Sequence, residues 1–329
     1  SRDGPPALPA PGTPSIAAMT TSSRPAAALP ANPDPAAFDA LHDEPARWHD
    51  AITALAARHA PGPVQPVAAG TALVAFVGAD LVLKVYPPFL RDHFAFEQAM
   101  LRRLHGRLSL PTPRLQASGD ENGWPWLLMT RLAGVPLDRV WPALDEPARR
   151  RVLHRIGRLA AEVHALPVGE IAALVPRWPD FVSRQRLRCA ARQQRTGLPA
   201  HLLAQLEGFL AGPLPAGPDV LLTGEYTPFN LLHDGRPDGA LAGLFDFGDG
   251  LVGPAAYDWL GPLCFLAAGD AARVDALFDG YGVRFDRGRR DELLRLLLLH
   301  RYSHLPAQLA LPGWQDAPDF QTLAARLWP

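Results

Sequence analysis

Residues 221–250 read LLTGEYTPFNLLHDGRPDGALAGLFDFGDG, and the order of polar groups in that stretch decides how the rest of the chain is read. A carboxylate, Glu225, is followed five residues later by an amide, Asn230, and then by a second carboxylate, Asp246, directly before Phe247 and Gly248. An acid in the first place can orient or deprotonate an attacking hydroxyl, and an amide with a second acid can hold a magnesium ion. Transfer of a phosphoryl group asks for that set, because positioning and charge neutralisation supply most of its rate. The plainer alternative makes Asp246 a turn residue before glycine and Asn230 a loop cap.

Upstream of this stretch, residues 71–87 (TALVAFVGADLVLKVYP) place two apolar runs about Val77-Gly78-Ala79-Asp80, the pattern of a β-hairpin. Residues 91–106 (RDHFAFEQAMLRRLHG) have an apolar face at helical spacing and Gly106 as a stop. Two further strands follow, LQASGD and WPWLLMTRL, about the turn-like Asp120-Glu121-Asn122-Gly123. One leading helix is expected over 38–60, and from about Leu137 onward helices dominate, over 145–166, 179–196, 200–211, 255–267, 270–280 and 289–305. The expectation is an α+β fold of two lobes: a strand-rich N-lobe over 38–132 and a mainly helical C-lobe over 133–329. Residues 1–37 are rich in Pro and Ala, carry no apolar period and read as a disordered leader.

Composition narrows the function classes. A net charge of -1 with 20% charged residues leaves no basic field for nucleic acid. Two cysteines, Cys189 and Cys264, are too few for a disulfide framework or a four-ligand zinc site. No apolar run is long enough to span a bilayer, and residues 1–37 lack a signal-peptide core, so a cytoplasmic monomer or homodimer is expected. A literal GxGxxG at Gly248, Gly250 and Gly253 is interrupted by Asp249 and followed by Pro254, outside any βαβ alternation, which argues against a dinucleotide site. His154 and His164 lack a nearby third ligand, and Trp124 and Trp126 bracket a strand start, so packing or surface roles suit all four.

Several motifs in order resemble the aminoglycoside phosphotransferase family of the protein-kinase-like superfamily, across roughly residues 45–305. Lys84 in LVLKVYPP resembles the strand lysine of that family and Glu97 in FAFEQAML the helix acid that pairs with it. WLLMTRLAGVPL resembles the hinge, IGRLAAEVHALP the helix ending in Leu-x-x-x-His, TGEYTPFN and FDFGD the catalytic and metal loops, and YDWLGPL the following helix with Asp258 as a buried anchor. The resemblance implies a bilobal kinase-like fold and transfer of the ATP γ-phosphate to a small-molecule hydroxyl. Lys84 and Glu97 would position phosphates, Asn230 and Asp246 would bind Mg²⁺, backbone groups near Thr130 and Leu132 would meet adenine, and Glu225 would be the base. It also implies a place in antibiotic resistance.

Two departures stand out. Glu225 occupies the position of an Asp, so reach rather than acidity is altered, and Thr223 replaces the scaffold His two residues earlier. They leave an alternative: a catalytically impaired pseudokinase that binds nucleotide and serves as an interaction module. The sequence leaves the acceptor open between a polycation, which Asp270, Asp275, Asp279, Asp286, Asp291 and Glu292 could line, and an anionic or neutral compound or a partner surface. Residues 168–215 carry Arg177, Arg184, Arg186, Arg188, Arg192 and Arg195 against Glu170, Asp180 and Glu207, whereas an aminoglycoside site should be acidic. A solvated helix face is the plain reading of those arginines.

Overall fold

The computed structural model describes residues 28–67, 70–224, 226–236 and 239–329; Glu225 and residues 1–27 of the 1–37 leader lie outside the described residues, while 28–37 lie within them and include the start of the first helix at Pro35. Five antiparallel strands make the first sheet, in the order β1 (Val64–Val67), β2 (Leu73–Val77), β3 (Leu81–Val85), β5 (Trp124–Thr130), β4 (Leu115–Glu121). Tight turns join both hairpins: Gly78 has φ 61° between β2 and β3, and Asn122 and Gly123 have φ 53° and 89° between β4 and β5. The leading helix is broken in two, α1 (Pro35–His42) and α2 (Pro45–Ala57). Pro45 lacks the N–H that a continuous helix would need and instead opens α2 at its first position.

Strand alternation divides the sheet between two cores. Leu73, Ala75, Val77, Leu83 and Val85 point toward α1 and α2, where they bury Phe38, Trp48, Ile52 and Leu55 together with Trp124 and Trp126. The opposite face meets α3 (Arg91–Leu104) through Met129, Tyr86, Phe96 and Met100. Lys84, one residue out of phase with Leu83 and Val85, is thereby placed on the α3 side.

The C-terminal region is mainly helical. It holds α4 (Leu137–Val140), α5 (Glu146–His164), α6 (Trp178–Arg195), the short α7 (Ala200–Leu203) and α8 (Leu206–Leu210), then α9 (Ala256–Phe265), α10 (Ala271–Tyr281), α11 (Arg290–Leu299), α12 (Leu305–Gln308) and α13 (Phe320–Leu327). The helix expected over 200–211 is therefore two short ones, and that over 289–305 stops at Leu299. Two small sheets interrupt the helices: β7 (Asp219–Leu222) with β10 (Leu251–Pro254), and β6 (Val135–Pro136), β8 (Leu231–His233) and β9 (Leu241–Leu244). Among the described residues no single helix is long and apolar enough to cross a membrane.

Helices α5 and α10 approach at backbone distance, because each contributes a glycine to the crossing. A Cβ on Gly157 would collide with the Leu277 carbonyl, and one on Gly280 with the His154 carbonyl. That closeness fixes the C-terminal end of α5, where His164 sits, against Tyr281 at the end of α10.

Candidate active site

The site forms where β3, α3 and the two loops of the opening stretch converge. The Lys84 ammonium donates to Glu97 Oε2 at 2.7 Å and to Asp246 Oδ1 at 2.8 Å, so one cation ties a strand, a helix and a loop together. Lys84 and Glu97 are buried, whereas the Asp246 side chain is 30% exposed. Tyr86, which the sequence reading passed over, donates its hydroxyl to Glu97 Oε2. The Phe247 N–H lies 3.5 Å from Glu97 Oε1, and Phe247 itself is buried, which anchors the Asp246 loop on α3.

Burial alone would pull the Lys84 ammonium down. The Asp246 and Glu97 carboxylates outweigh it and raise the group well above its ordinary value, so it stays charged at neutral pH. Burial raises the Glu97 carboxyl, with Lys84 opposing, and burial followed by the Glu97 charge raises the Tyr86 phenol.

Asp246 has φ 65°, a left-handed conformation uncommon outside glycine and one to which Asp is better suited than most residues. Its Oδ1 accepts from Lys84, and among the described residues Oδ2 makes no hydrogen bond. A hydrogen bond from the Phe245 N–H to the Asn230 carbonyl, 3.1 Å, brings the Asn230 loop alongside the Asp246 loop. A partly exposed carboxylate on a loop tied through its backbone to the asparagine loop offers residue types, a carboxylate and an amide, that fit Mg²⁺, an ion that keeps several waters and phosphate oxygens of its own.

The loop around Glu225 is held from outside. Asp258, buried in the first turn of α9, accepts from the backbone N–H groups of Thr223 at 3.0 Å and Gly224 at 2.7 Å. His164 Nε2 lies 3.0 Å from the same carboxylate, and its Nδ1 lies 2.9 Å from the Tyr281 hydroxyl. Gly224, at φ 75°, lies so close to the Asp249 carbonyl that a Cβ would meet it at 2.6 Å. Thr223 therefore stands within a scaffold of Asp258, His164 and Tyr281, and the Thr223 hydroxyl itself reaches Asp258 at 3.4 Å. Tyr226 on the other side of Glu225 is buried.

At the hinge the two expected positions differ. The Thr130 N–H is engaged by the Arg114 carbonyl at 3.0 Å, and the next N–H, of Arg131, by the Asp80 carbonyl at 2.7 Å. The Leu132 N–H makes no hydrogen bond among the described residues, and its side chain lies over Gly243. Of the two, Leu132 offers a donor that an adenine could take.

From sequence, Asp249 reads as a helper or turn former beside Asp246 rather than a primary ligand, with no partners in view. Three residues after Asp246, its carboxylate meets the Tyr302 hydroxyl at 2.6 Å, His93 Nδ1 at 3.1 Å and Arg301 Nη1 at 3.5 Å. Burial would raise this acid, but His93 and Tyr302 overcome it and hold the group down at about 2. The partners lie on α3 and beyond α11, so no local spacing announced them. The GxGxxG glycines belong to this loop and to β10, which is not the strand-to-helix turn a dinucleotide needs.

The chain matches a model of the phosphotransferase enzyme family over residues 63–293, and it belongs to that family. Solved structures share the fold. An aminoglycoside 2'-phosphotransferase of type IIIa in complex with GDP is 15% identical, with a TM-score of 0.63 over 86% of this chain and 98% of that one. Macrolide 2'-phosphotransferase MphH from Brachybacterium faecium is 21% identical, with a TM-score of 0.56 over 80% of this chain and 99% of its own. APH(3'')-Id from Streptomyces rimosus, in complex with ADP and streptomycin, is also 21% identical, with a TM-score of 0.55 over 77% and 98%. No curated protein matches the chain. The fold is thus the kinase-like phosphotransferase fold, an antiparallel sheet followed by a helical region, and the chain is a phosphotransferase enzyme. The pseudokinase alternative finds no support among these relatives.

Proposed function

We propose that the chain transfers the γ-phosphate of ATP, with Mg²⁺, to a hydroxyl of a small molecule. One observation carries the proposal: a buried lysine bonded at 2.7 Å to a helix glutamate and at 2.8 Å to the aspartate of the Phe-Gly loop. A cation so placed is held ready for phosphate oxygens, and its flexible stem costs little further entropy when they arrive. Nucleotide-bound relatives, with GDP or ADP, are in keeping with a nucleotide in this cleft.

In the proposed step the acceptor oxygen bonds to the γ-phosphorus as the bond from that phosphorus to the β,γ-bridging oxygen breaks. ADP leaves, and the hydroxyl proton passes to the Glu225 carboxylate. Asp246 and Asn230 would hold Mg²⁺, which when bound neutralises phosphate charge. Lys84 orients the phosphates, Glu97 orients Lys84, and Asp258 with His164 fixes the loop that carries the base. Leu132 would present its N–H to the adenine edge.

Asp246→Ala should lower transfer at least about a hundredfold and weaken Mg-ATP binding. Glu225→Gln should lower kcat by about 10²–10⁴ with ATP affinity nearly kept. Both are measured by phosphate transfer and by calorimetry with ATP. Full turnover in Glu225→Gln dismisses Glu225 as the base; full turnover in Asp246→Ala dismisses the site.

A further inference from the structure

Beside the Asp246–Asp249 turn lies a cavity of about 580 Å³, bounded by the start of α3, the front of α6 and the residues just after α11. That volume is typical of a small-molecule pocket. Gly248 and Gly250 line it, so it opens two residues from the proposed magnesium ligand.

Geometry sorts the arginines that sequence alone left together. Arg192 is buried and structural: it bonds Gln185 Oε1 at 2.8 Å and the Leu298 carbonyl at 3.1 Å. Arg186 donates to the Leu210 carbonyl and lines a different recess. Arg184 and Arg188, one turn apart on α6, both line the cavity by the glycines, and among the described residues neither makes a hydrogen bond or ion pair. Arg301 adds a third guanidinium, with its Nε buried and unpartnered among the described residues.

Acids do not balance them. Asp92 lines the cavity, while Asp249 behind it already shares its charge with Arg301, His93 and Tyr302. A polycation entering here would meet two unpaired guanidiniums against one carboxylate. Like charges set side by side in an interface are strongly disfavoured. Phe89 and Phe181 supply apolar wall.

We infer that this cavity is the acceptor site and that its acceptor is a hydroxyl compound bearing an anionic group, a carboxylate or a phosphate, held by Arg184 and Arg188. The inference rests on the phosphotransferase reading above. The apolar part of the acceptor packs on Phe89 and Phe181 while its hydroxyl faces the Asp246 side. Its anionic group is unchanged by the reaction.

The test uses the full chain with Mg-ATP and matched acceptors. These are aliphatic hydroxy acids, their primary amides and the corresponding amino alcohols, then sugar phosphates with their parent sugars, and kanamycin and streptomycin. An anionic acceptor should exceed its neutral partner by about tenfold or more in kcat/KM, the scale of one charge-assisted contact. The two series show whether carboxylate or phosphate is preferred. Arg184→Glu with Arg188→Glu should erase the preference through KM, with calorimetric ADP binding as the control for folding. Preference for a neutral or cationic acceptor overturns the inference, as does an anion's KM unmoved by the double reversal. Calorimetry on the ADP-loaded chain separates the two readings. Anion binding that the double reversal removes, without transfer to any acceptor, leaves an anion site but sinks the phosphotransferase reading and the acceptor role with it. Transfer to kanamycin in preference to the acids sustains the phosphotransferase reading and sinks this inference.

Discussion

Asp246 and Asp249 are three residues apart in one loop, and they belong to two regions that treat charge in opposite ways. On the nucleotide side, Asp246 spends one oxygen on Lys84 and leaves the other without a protein partner among the described residues, on a side chain 30% exposed. On the side of the cavity, Asp249 is 13% exposed and shared by His93, Tyr302 and Arg301. The first arrangement retains ligand capacity; the second uses it up in holding α3 to the segment after α11. Two identical side chains thus acquire a binding role and an anchoring role from the partners that tertiary structure brings to them.

The largest expected effect tests whether the nucleotide side is as tightly paired as its geometry implies. Lys84→Met removes the cation between two carboxylates, of which Glu97 is only 1% exposed and is left with Tyr86 as its main partner. Breaking a buried pair from one side costs about 3–5 kcal/mol, read as a fall in the urea midpoint with transfer abolished. Asp246→Asn, at the more exposed end of the same triad, should cost about 1 kcal/mol or less in stability. Equal losses in the two variants would mean that Glu97 is not the buried end of the triad.

Asp258→Asn is the next step down. It weakens acceptors for the Thr223 and Gly224 N–H groups and the His164 contact, all at 2.7–3.0 Å. Hydrogen bonds to charged groups contribute about 1.5–3 kcal/mol each, and Asn keeps part of them, so a loss of about 2 kcal/mol is expected. Transfer should drop while ATP affinity holds, because the anchored loop carries Glu225 rather than Lys84. A fall in ATP affinity with normal turnover would place the anchor on the wrong side of the comparison.

The same contrast governs what could be read without coordinates. Lys84, Glu97, Asn230 and Asp246 were marked in the sequence by short motifs that resemble the family's, and the structure joins the first, second and last of them in one triad. Tyr86, two residues from Lys84 and just past the end of β3, was passed over because no motif marks it. Asp249 could not be interpreted: His93 lies on α3, and Arg301 and Tyr302 more than fifty residues downstream. The break at Pro45 was written in the sequence and outweighed by the apolar period on either side of it. Strand β1, reading VQPV, was concealed by Pro66, which an edge strand tolerates where the N–H that proline lacks would have faced away from the ladder. The arginines of 168–215 illustrate the limit most directly. Their count suggested a basic wall, but only packing shows that Arg192 belongs to the core and Arg184 and Arg188 to the cavity.

Acid titration isolates the anchoring carboxylate. The Asp249 carboxyl is held at about 2, against 3.8 for an ordinary aspartate, so the folded state prefers its charged form. That preference stabilises the fold in full above pH 4, declines as pH falls from 4 to 2, and is gone below the folded value. The shift corresponds to about 2 kcal/mol. Asp249→Asn should therefore be less stable than the parent by about that amount at pH 7, and the two unfolding curves should converge as the pH is lowered toward 2. His93→Ala removes one of three close partners, so a smaller gap closing over the same window is expected. A gap in Asp249→Asn that persists undiminished at pH 2 would show that shape, and not charge, is what the loop takes from Asp249. The opposition between its two aspartates would then reduce to burial alone.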